Sequence, residues 1–250
     1  MRLPGPLRRR SWAAGAAPVD LDNLVSPLRY DIVVRARFLE FLGERLDRAG
    51  RDLDGLVDEA LGHPYHCWYT TIALPRYRPR EAADERRRLA AFRRRVRASL
   101  ELLASFGRRG FDPRFPVSLR TAVPGAATAT GKVVPRPLYA GDGCHRLALL
   151  LASGHTRLEP GWYRVLRDPL PAPIDNTRAL LGPLRVGRDE YHRFLSLAYA
   201  GAGAGAQDRT GGGRPAGRDA LLRHVAAHRP DRLRELLQVL EIDEPALNER

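Results

Sequence analysis

The residues with the clearest chemical potential form one short string, Gly141-Asp142-Gly143-Cys144-His145-Arg146. Strand-like residues precede it and the apolar run from Leu147 to Ser153 follows it, so the string is predicted to be a turn that opens a helix. The first amides of a helix lack partners within the helix and carry partial positive charge, which favours a phosphate. The glycines allow a close backbone approach, and His145 and Arg146 add side-chain donors. The string therefore predicts an anion-binding turn.

Two residues of this string have both a structural and a chemical interpretation. Asp142 with Gly143 is also an ordinary turn pair, but its combination with the three residues that follow favours a site. Cys144 is either a small, partly buried thiol at a helix start, which is the favoured interpretation, or a nucleophile activated by the helix N-terminus. The candidate catalytic residues are Asp142, Cys144 and His145. The candidate nucleotide- and phosphate-binding residues are Gly141, Gly143, Cys144, His145 and Arg146.

The pattern around this turn resembles the ParB/sulfiredoxin superfamily over roughly residues 107–170. The residues that carry the resemblance are Asp142-Gly143, His145-Arg146, Ala148 and Gly154, preceded by Gly110 and Pro116-Val117. The string Gly143 to Arg146 is most similar to sulfiredoxin, where the matching cysteine is catalytic. The string Asp142 to Arg146 is equally similar to the free-serine kinases, where this turn holds nucleotide phosphate. The resemblance implies a small mixed-sheet module that uses ATP or ADP with Mg²⁺.

Three functions follow as expectations from the turn and the resemblance. The leading one is a nucleotide-dependent enzyme that transfers a phosphoryl group to the hydroxyl of a small-molecule substrate. The alternatives are a nucleotide-switched, DNA-binding regulator of the ParB kind and a sulfiredoxin-like, cysteine-dependent reductase. The chain departs from these relatives, because it adds helices on both sides of the module and no upstream acid aligns as a kinase base.

Composition limits the partners and the compartment. The net charge of +13 allows a nucleic-acid partner, but arginine outnumbers lysine so strongly, with Lys132 the only lysine, that a GC-rich coding bias is the favoured cause. Two distant cysteines suggest a reducing cytoplasm. His63, His66 and Cys67 lack a second ligand pair, so no metal site is predicted. No apolar run is long enough to span a membrane and the N-terminus lacks an export signal, so a soluble, cytoplasmic chain is expected.

The elements that must position the turn predict an α+β fold with helical additions at both ends. The predicted regions are a flexible basic arm (1–25), a helical region (26–107), a ParB/sulfiredoxin-like module (108–200), a Gly-rich linker or mobile loop (201–217) and a C-terminal helical segment (218–250). Within them, an extended aromatic connector is predicted at 63–77 and a long helix at 80–106. Strands are predicted at 116–120, 133–140 and 162–167, and helices at 147–153, 175–181 and 189–199.

Overall fold

The computed structural model describes residues 12–123, 125–133, 138–170, 172–200 and 217–247. It has an α+β fold, as the sequence predicts, in which helices surround a small mixed sheet. The sheet strands are β1 (Trp12–Ala14), β3 (Val117–Ala122), β4 (Leu138–Asp142) and β6 (Tyr163–Leu170), and a two-stranded ribbon pairs β2 (Val19–Asp20) with β5 (Arg157–Leu158). The strand order in the sheet is β1-β6-β3-β4, with β3 and β6 parallel and the other two pairs antiparallel.

The helices precede, interrupt and follow the sheet strands. Those before β3 are α1 (Leu21–Val25), α2 (Tyr30–Gly43), α3 (Leu46–Ala49), α4 (Leu53–Leu61), α5 (Pro64–Trp68), α6 (Leu74–Tyr77), α7 (Pro79–Ala82) and α8 (Glu85–Arg109), with a π-helical turn at Tyr69–Ala73. Those after β4 are α9 (Cys144–Ala152), α10 (Arg178–Leu181), α11 (Arg188–Tyr199), α12 (Arg218–His228) and α13 (Leu233–Asp243), with 3₁₀ turns at Pro230–Arg232 and Glu244–Ala246. None of the helices in the described residues is long and apolar enough to cross a membrane.

The helix that follows the candidate turn is fixed at both ends and buried along one side. It begins directly after Gly143, whose φ of +88° is left-handed, and the amide of His155 donates to the carbonyl of Leu150 past its end. Leu147 to Leu150 are buried against the core. Burial of a leucine side chain contributes about 1.5–3 kcal/mol, so these residues hold α9 firmly in place. The prediction of a helix at 147–153 is confirmed, and the helix begins three residues earlier.

The predicted extended connector at 63–77 is wrong, because this segment is helical. Pro64 occupies the first turn of α5, where a proline loses no helical hydrogen bond, and His63 Nδ1 accepts from the amide of Tyr65 at 3.0 Å. Tyr65 stacks on Phe38 of α2 with ring centroids 4.1 Å apart. The aromatic residues suggested a strand by their propensity, but their spacing of three and four residues places them on one helix face.

The described part of the predicted flexible arm, residues 12–25, contains two strands and a short helix. Residues 1–11 lie outside the described part of the chain, but β1 pairs with β6 as an edge strand, and the amide of Gly15 donates to the carbonyl of Tyr163 at 3.1 Å. The helical region and the module also share one hydrophobic core, in which α2 packs against α9. The predicted boundary at 107/108 therefore does not separate two cores.

The remaining predicted elements are confirmed with shifted ends. The long helix α8 begins at Glu85, three residues after the end of the short helix α7, and Asp84 Oδ1 accepts from the amide of Arg87 at 2.8 Å. The strand predicted at 133–140 is β4 from Leu138 onwards; residues 134–137 lie outside the described residues, and Val133 forms an isolated bridge with Ala127. The predicted Gly-rich linker also falls outside them, except for Gly217.

Candidate functional site

The candidate turn is formed by an irregularity in the sheet and a left-handed glycine. Ser118 pairs with Asp142 and Leu119 pairs with Ala140, so Gly141 is an extra residue in β4. A Cβ atom at Gly141 would lie 3.0 Å from Cγ and 3.1 Å from Nε of Arg120, so the Arg120 side chain packs closely over this glycine. Asp142 Oδ1 accepts from the amide of Gly143 at 2.6 Å. The turn is therefore fixed by its own residues.

The first two amides of α9 are the donors that the sequence predicted. The carbonyl of Gly143 accepts from the amides of Arg146 and Leu147, at 2.9 and 3.0 Å. The amides of Cys144 and His145 precede these bonds and have no hydrogen-bond acceptor in the described parts of the chain. They carry the partial positive charge of the helix N-terminus.

Arg146 lies at the turn, but part of its guanidinium is already engaged. Nη1 donates to the carbonyl oxygens of Phe115 and of Pro116, the latter at 2.9 Å. Nη2 lies 3.3 Å from the position that a Cβ atom of Gly143 would take, and it makes no hydrogen bond within the described ranges. Burial and the nearby Arg164 lower the pKa of Arg146, whereas Asp142 opposes this shift. The guanidinium stays charged and keeps one edge available to an anion.

The thiol of Cys144 points inward to a buried ionic network. Arg29, only 4% exposed, donates from Nη2 to Cys144 Sγ at 2.7 Å and from Nη1 to the carbonyl of Ala140 at 2.6 Å. Its Nε lies 2.9 Å from Asp31 Oδ1, and Arg35 contacts the other oxygen of Asp31. Burial alone would raise the pKa of Asp31, but the two guanidinium groups hold it well below its ordinary value. Cys144 is thus hydrogen-bonded to a permanent cation.

His145 faces away from the free amides of the turn. Its Nε2 lies 3.4 Å from Arg95 Nη1 of α8. Burial, together with Arg35 and Arg95, lowers the pKa of His145 to about 3. The imidazole is therefore neutral at physiological pH, and it adds no positive charge to an anion site.

The sequence-predicted residues thus divide into two groups. Asp142 is exposed, Gly141 and Arg146 are partly buried beside it, and Gly143 is buried against Val117, whereas the side chains of Cys144 and His145 turn into the protein. Arg120 is the residue that sequence reasoning missed: it lies beside Gly141 and has no hydrogen-bond partner among the described side chains and backbone atoms. Its position opposite Tyr139 on β3 follows from the pairing of β3 with β4, which no sequence pattern reveals.

Asp142 is the exposed residue of the turn. One cleft of about 630 Å³ lies between Val133 and α13, and a small cavity of about 60 Å³ lies between α2 and α11. Neither is lined by residues of the turn. No three histidine, cysteine, aspartate or glutamate side chains within the described ranges lie together as metal ligands.

In comparisons with known proteins, no protein-family model, no curated protein and no solved structure matches this chain. The geometry of the turn and of the surfaces around it is therefore what bears on function.

Proposed function

We propose that the protein binds a nucleotide through its phosphate groups at the N-terminus of α9 and transfers a phosphoryl group to a small-molecule hydroxyl. The observation that carries the proposal is one short turn with several anion donors: the two free amides of Cys144 and His145, the guanidinium of Arg146 beside Gly143, and the guanidinium of Arg120 beside Gly141. Amides and guanidinium groups are the donors that phosphate oxygens prefer. In this proposal, residues 108–200 form a ParB/sulfiredoxin-like module, which the order strand, glycine turn, helix supports.

The donors at this turn fit the phosphate part of ATP or ADP. Arg146 Nη2 and the two amides would hold the phosphate oxygens and offset the charge that develops during transfer. Asp142, an exposed carboxylate in the same turn, would accept the proton of the substrate hydroxyl. Bound Mg²⁺ would neutralise further phosphate charge. His145, held neutral against Arg95, would keep the first turn of α9 in place.

The proposal is tested by equilibrium binding of ATP, ADP and CTP to the protein and to two variants. Arg146→Ala and Arg120→Ala are each expected to weaken binding at least about tenfold, because each removes a charge-assisted hydrogen bond that contributes about 1.5–3 kcal/mol. The matched control is Arg193→Ala, an exposed arginine of α11, which is expected to bind as the unmodified protein does. No nucleotide binding by the unmodified protein, or equal affinity in all three variants, contradicts the proposal.

A cysteine-dependent reductase is the second candidate, and the hydrogen bond from Arg29 to Cys144 Sγ favours it. A cation beside a sulfur at a helix N-terminus is the environment of reactive cysteines. Turnover measurements on one more variant, Cys144→Ser, decide between the two. A phosphotransferase retains most of its turnover in this variant, whereas a reductase that uses the thiol as nucleophile loses it.

A further inference from the structure

The outer face of α8 concentrates the positive charge of the protein. This helix of 25 residues contains nine arginines and two glutamates, a net charge of +7 out of +13 for the whole chain. A GC-rich coding bias adds arginine throughout a chain and does not account for this concentration in one helix. The concentration of arginine in α8 is therefore a property of this helix.

Three of these arginines form a straight row along the exposed side of α8. Arg86, Arg97 and Arg108 are each separated by eleven residues, which is three helical turns plus about 20°, or about 16.5 Å along the axis. All three side chains are exposed, and none has an ion-pair partner among the described residues. Arg93 and Arg94 flank the row and form surface ion pairs with Asp54 and Glu81.

The opposite face of α8 holds this row rigid. Phe92, Val96 and Leu100 are buried in the core, and Phe92 packs against Phe38 with ring centroids 6.2 Å apart. The helix is about 37 Å long. Its arginine row is thus a preformed, nearly linear array of cations about 33 Å long.

We propose that the outer face of α8 binds the phosphodiester backbone of a nucleic-acid duplex. A duplex presents one negative charge per about 1.7 Å of its axis, so it meets cations along the whole row, whereas a single nucleotide reaches only one of them. The helix contains no asparagine or glutamine, the side chains that read adenine edges. The contacts that we propose for the arginine row are to phosphates, and phosphate contacts carry no direct information on base sequence.

An anionic membrane fits this face less well than a duplex. Membrane-bound helices insert a continuous apolar side into the lipid, but the apolar side of α8 is buried in the protein core, and Leu89 is its only large apolar side chain that is substantially exposed. The proposal also does not depend on nucleotide binding at the α9 turn, because the row and the turn use different arginines.

The experiment measures fluorescence anisotropy of a labelled duplex of about 20 base pairs, as DNA and as RNA, between about 50 and 200 mM salt. The test variant combines Arg86→Gln, Arg97→Gln and Arg108→Gln. The matched control combines Arg51→Gln, Arg193→Gln and Arg223→Gln, which are equally exposed and change the net charge by the same amount. The slope of log K against log salt is expected to fall by about 2.7 in the test variant, because each lost phosphate contact removes about 0.9. The control is expected to keep most of its slope.

Each alternative outcome contradicts the proposal. One such outcome is that the unmodified protein binds neither duplex at the lowest salt, and another is that the test and control variants lose the same amount of salt-dependent slope. Binding of the protein only to phosphatidylserine vesicles is the third, and it identifies a membrane surface. Circular dichroism and thermal melting check that the triple variant is folded. If it is not, the single variant Arg97→Gln decides the question by a slope change of about 0.9. Comparison of the DNA and RNA arms identifies the preferred duplex.

Discussion

At the scale of single residues, Arg29 links the candidate turn to the core of the protein. Its guanidinium bonds the last buried residue of β4, the first residue of α9 and the carboxylate of Asp31. Loss of one partner of a buried ion pair leaves an uncompensated charge, which costs about 3–5 kcal/mol. The position of the turn therefore depends on a residue more than one hundred positions away in sequence.

His145 gives the protein a pH-dependent stability that can be measured. Its folded-state pKa of about 3 lies below the ordinary value of 6.5, so the unfolded chain takes up a proton first as the pH falls. The stability that neutral His145 contributes is complete above about pH 6.5 and decreases as the pH falls towards 3. At pH 5 the loss is at most about 2 kcal/mol, because one pKa unit corresponds to about 1.4 kcal/mol.

The variant His145→Asn removes this proton-binding site and is measured by urea unfolding at pH 7.5 and pH 5. At pH 7.5, the difference in the free energy of unfolding between the variant and the unmodified protein gives the cost of the changed packing. The free energy of unfolding is expected to fall less between the two pH values in the variant than in the unmodified protein, by up to about 2 kcal/mol. Parallel pH dependences in the two proteins would show that His145 is not held neutral by its surroundings.

At the scale of elements, β1 depends on a close contact between its following glycine and a tyrosine of the neighbouring strand. A Cβ atom at Gly15 would lie 2.1 Å from Cζ of Tyr163, which is buried and whose hydroxyl donates to the carbonyl of Ala17. Gly15→Ala is expected to destabilise the protein by about 1–3 kcal/mol through this clash. The control is Gly107→Ala in α8, where nothing lies within 4 Å, and which is expected to stabilise by about 0.5–1 kcal/mol. Thermal unfolding measures the stability of both variants. Equal effects of Gly15→Ala and Gly107→Ala would contradict the close contact between Gly15 and Tyr163.

The elements also show what sequence patterns can and cannot predict. The long helix α8, the helix α9 and the strand β3 follow from periodicity and glycine positions, with ends that agree within five residues. The helix α5 and the π-helical turn after it do not, because their aromatic side chains have strand propensity and tertiary contacts decide for a helix: Tyr65 packs on Phe38 and Tyr69 on Phe92. The inward direction of the Cys144 and His145 side chains does not follow from the sequence either, since it depends on Arg29, directly before α2, and on Arg95 of α8.

At the scale of the whole molecule, the only lysine holds the C-terminal helices to the rest of the chain. Lys132 is fully buried, with Nζ 3.0 Å from Asp175 Oδ2 and 2.5 Å from Asp243 Oδ2. Tyr191 of α11 donates to the same oxygen of Asp243 at 2.6 Å. Burial raises the pKa of Asp243, and Lys132 counteracts this shift. Loop 125–133, the segment before α10, α11 and α13 therefore meet at one buried ionic cluster.

This cluster makes amine acylation a direct measure of how the whole fold opens. In native buffer, an N-hydroxysuccinimide ester is expected to label the α-amine of the chain rapidly and Lys132 only at the rate of unfolding, because Nζ has no access to solvent. Urea is expected to raise the labelling of Lys132 in parallel with the change in fluorescence of the three tryptophans, of which Trp68 is buried in the core. Labelling of Lys132 ahead of that transition would mean that the C-terminal helices detach separately. Labelling at the rate of a free amine in native buffer would mean that the cluster does not form, because a lysine paired with two buried aspartates cannot react until α13 leaves the loop.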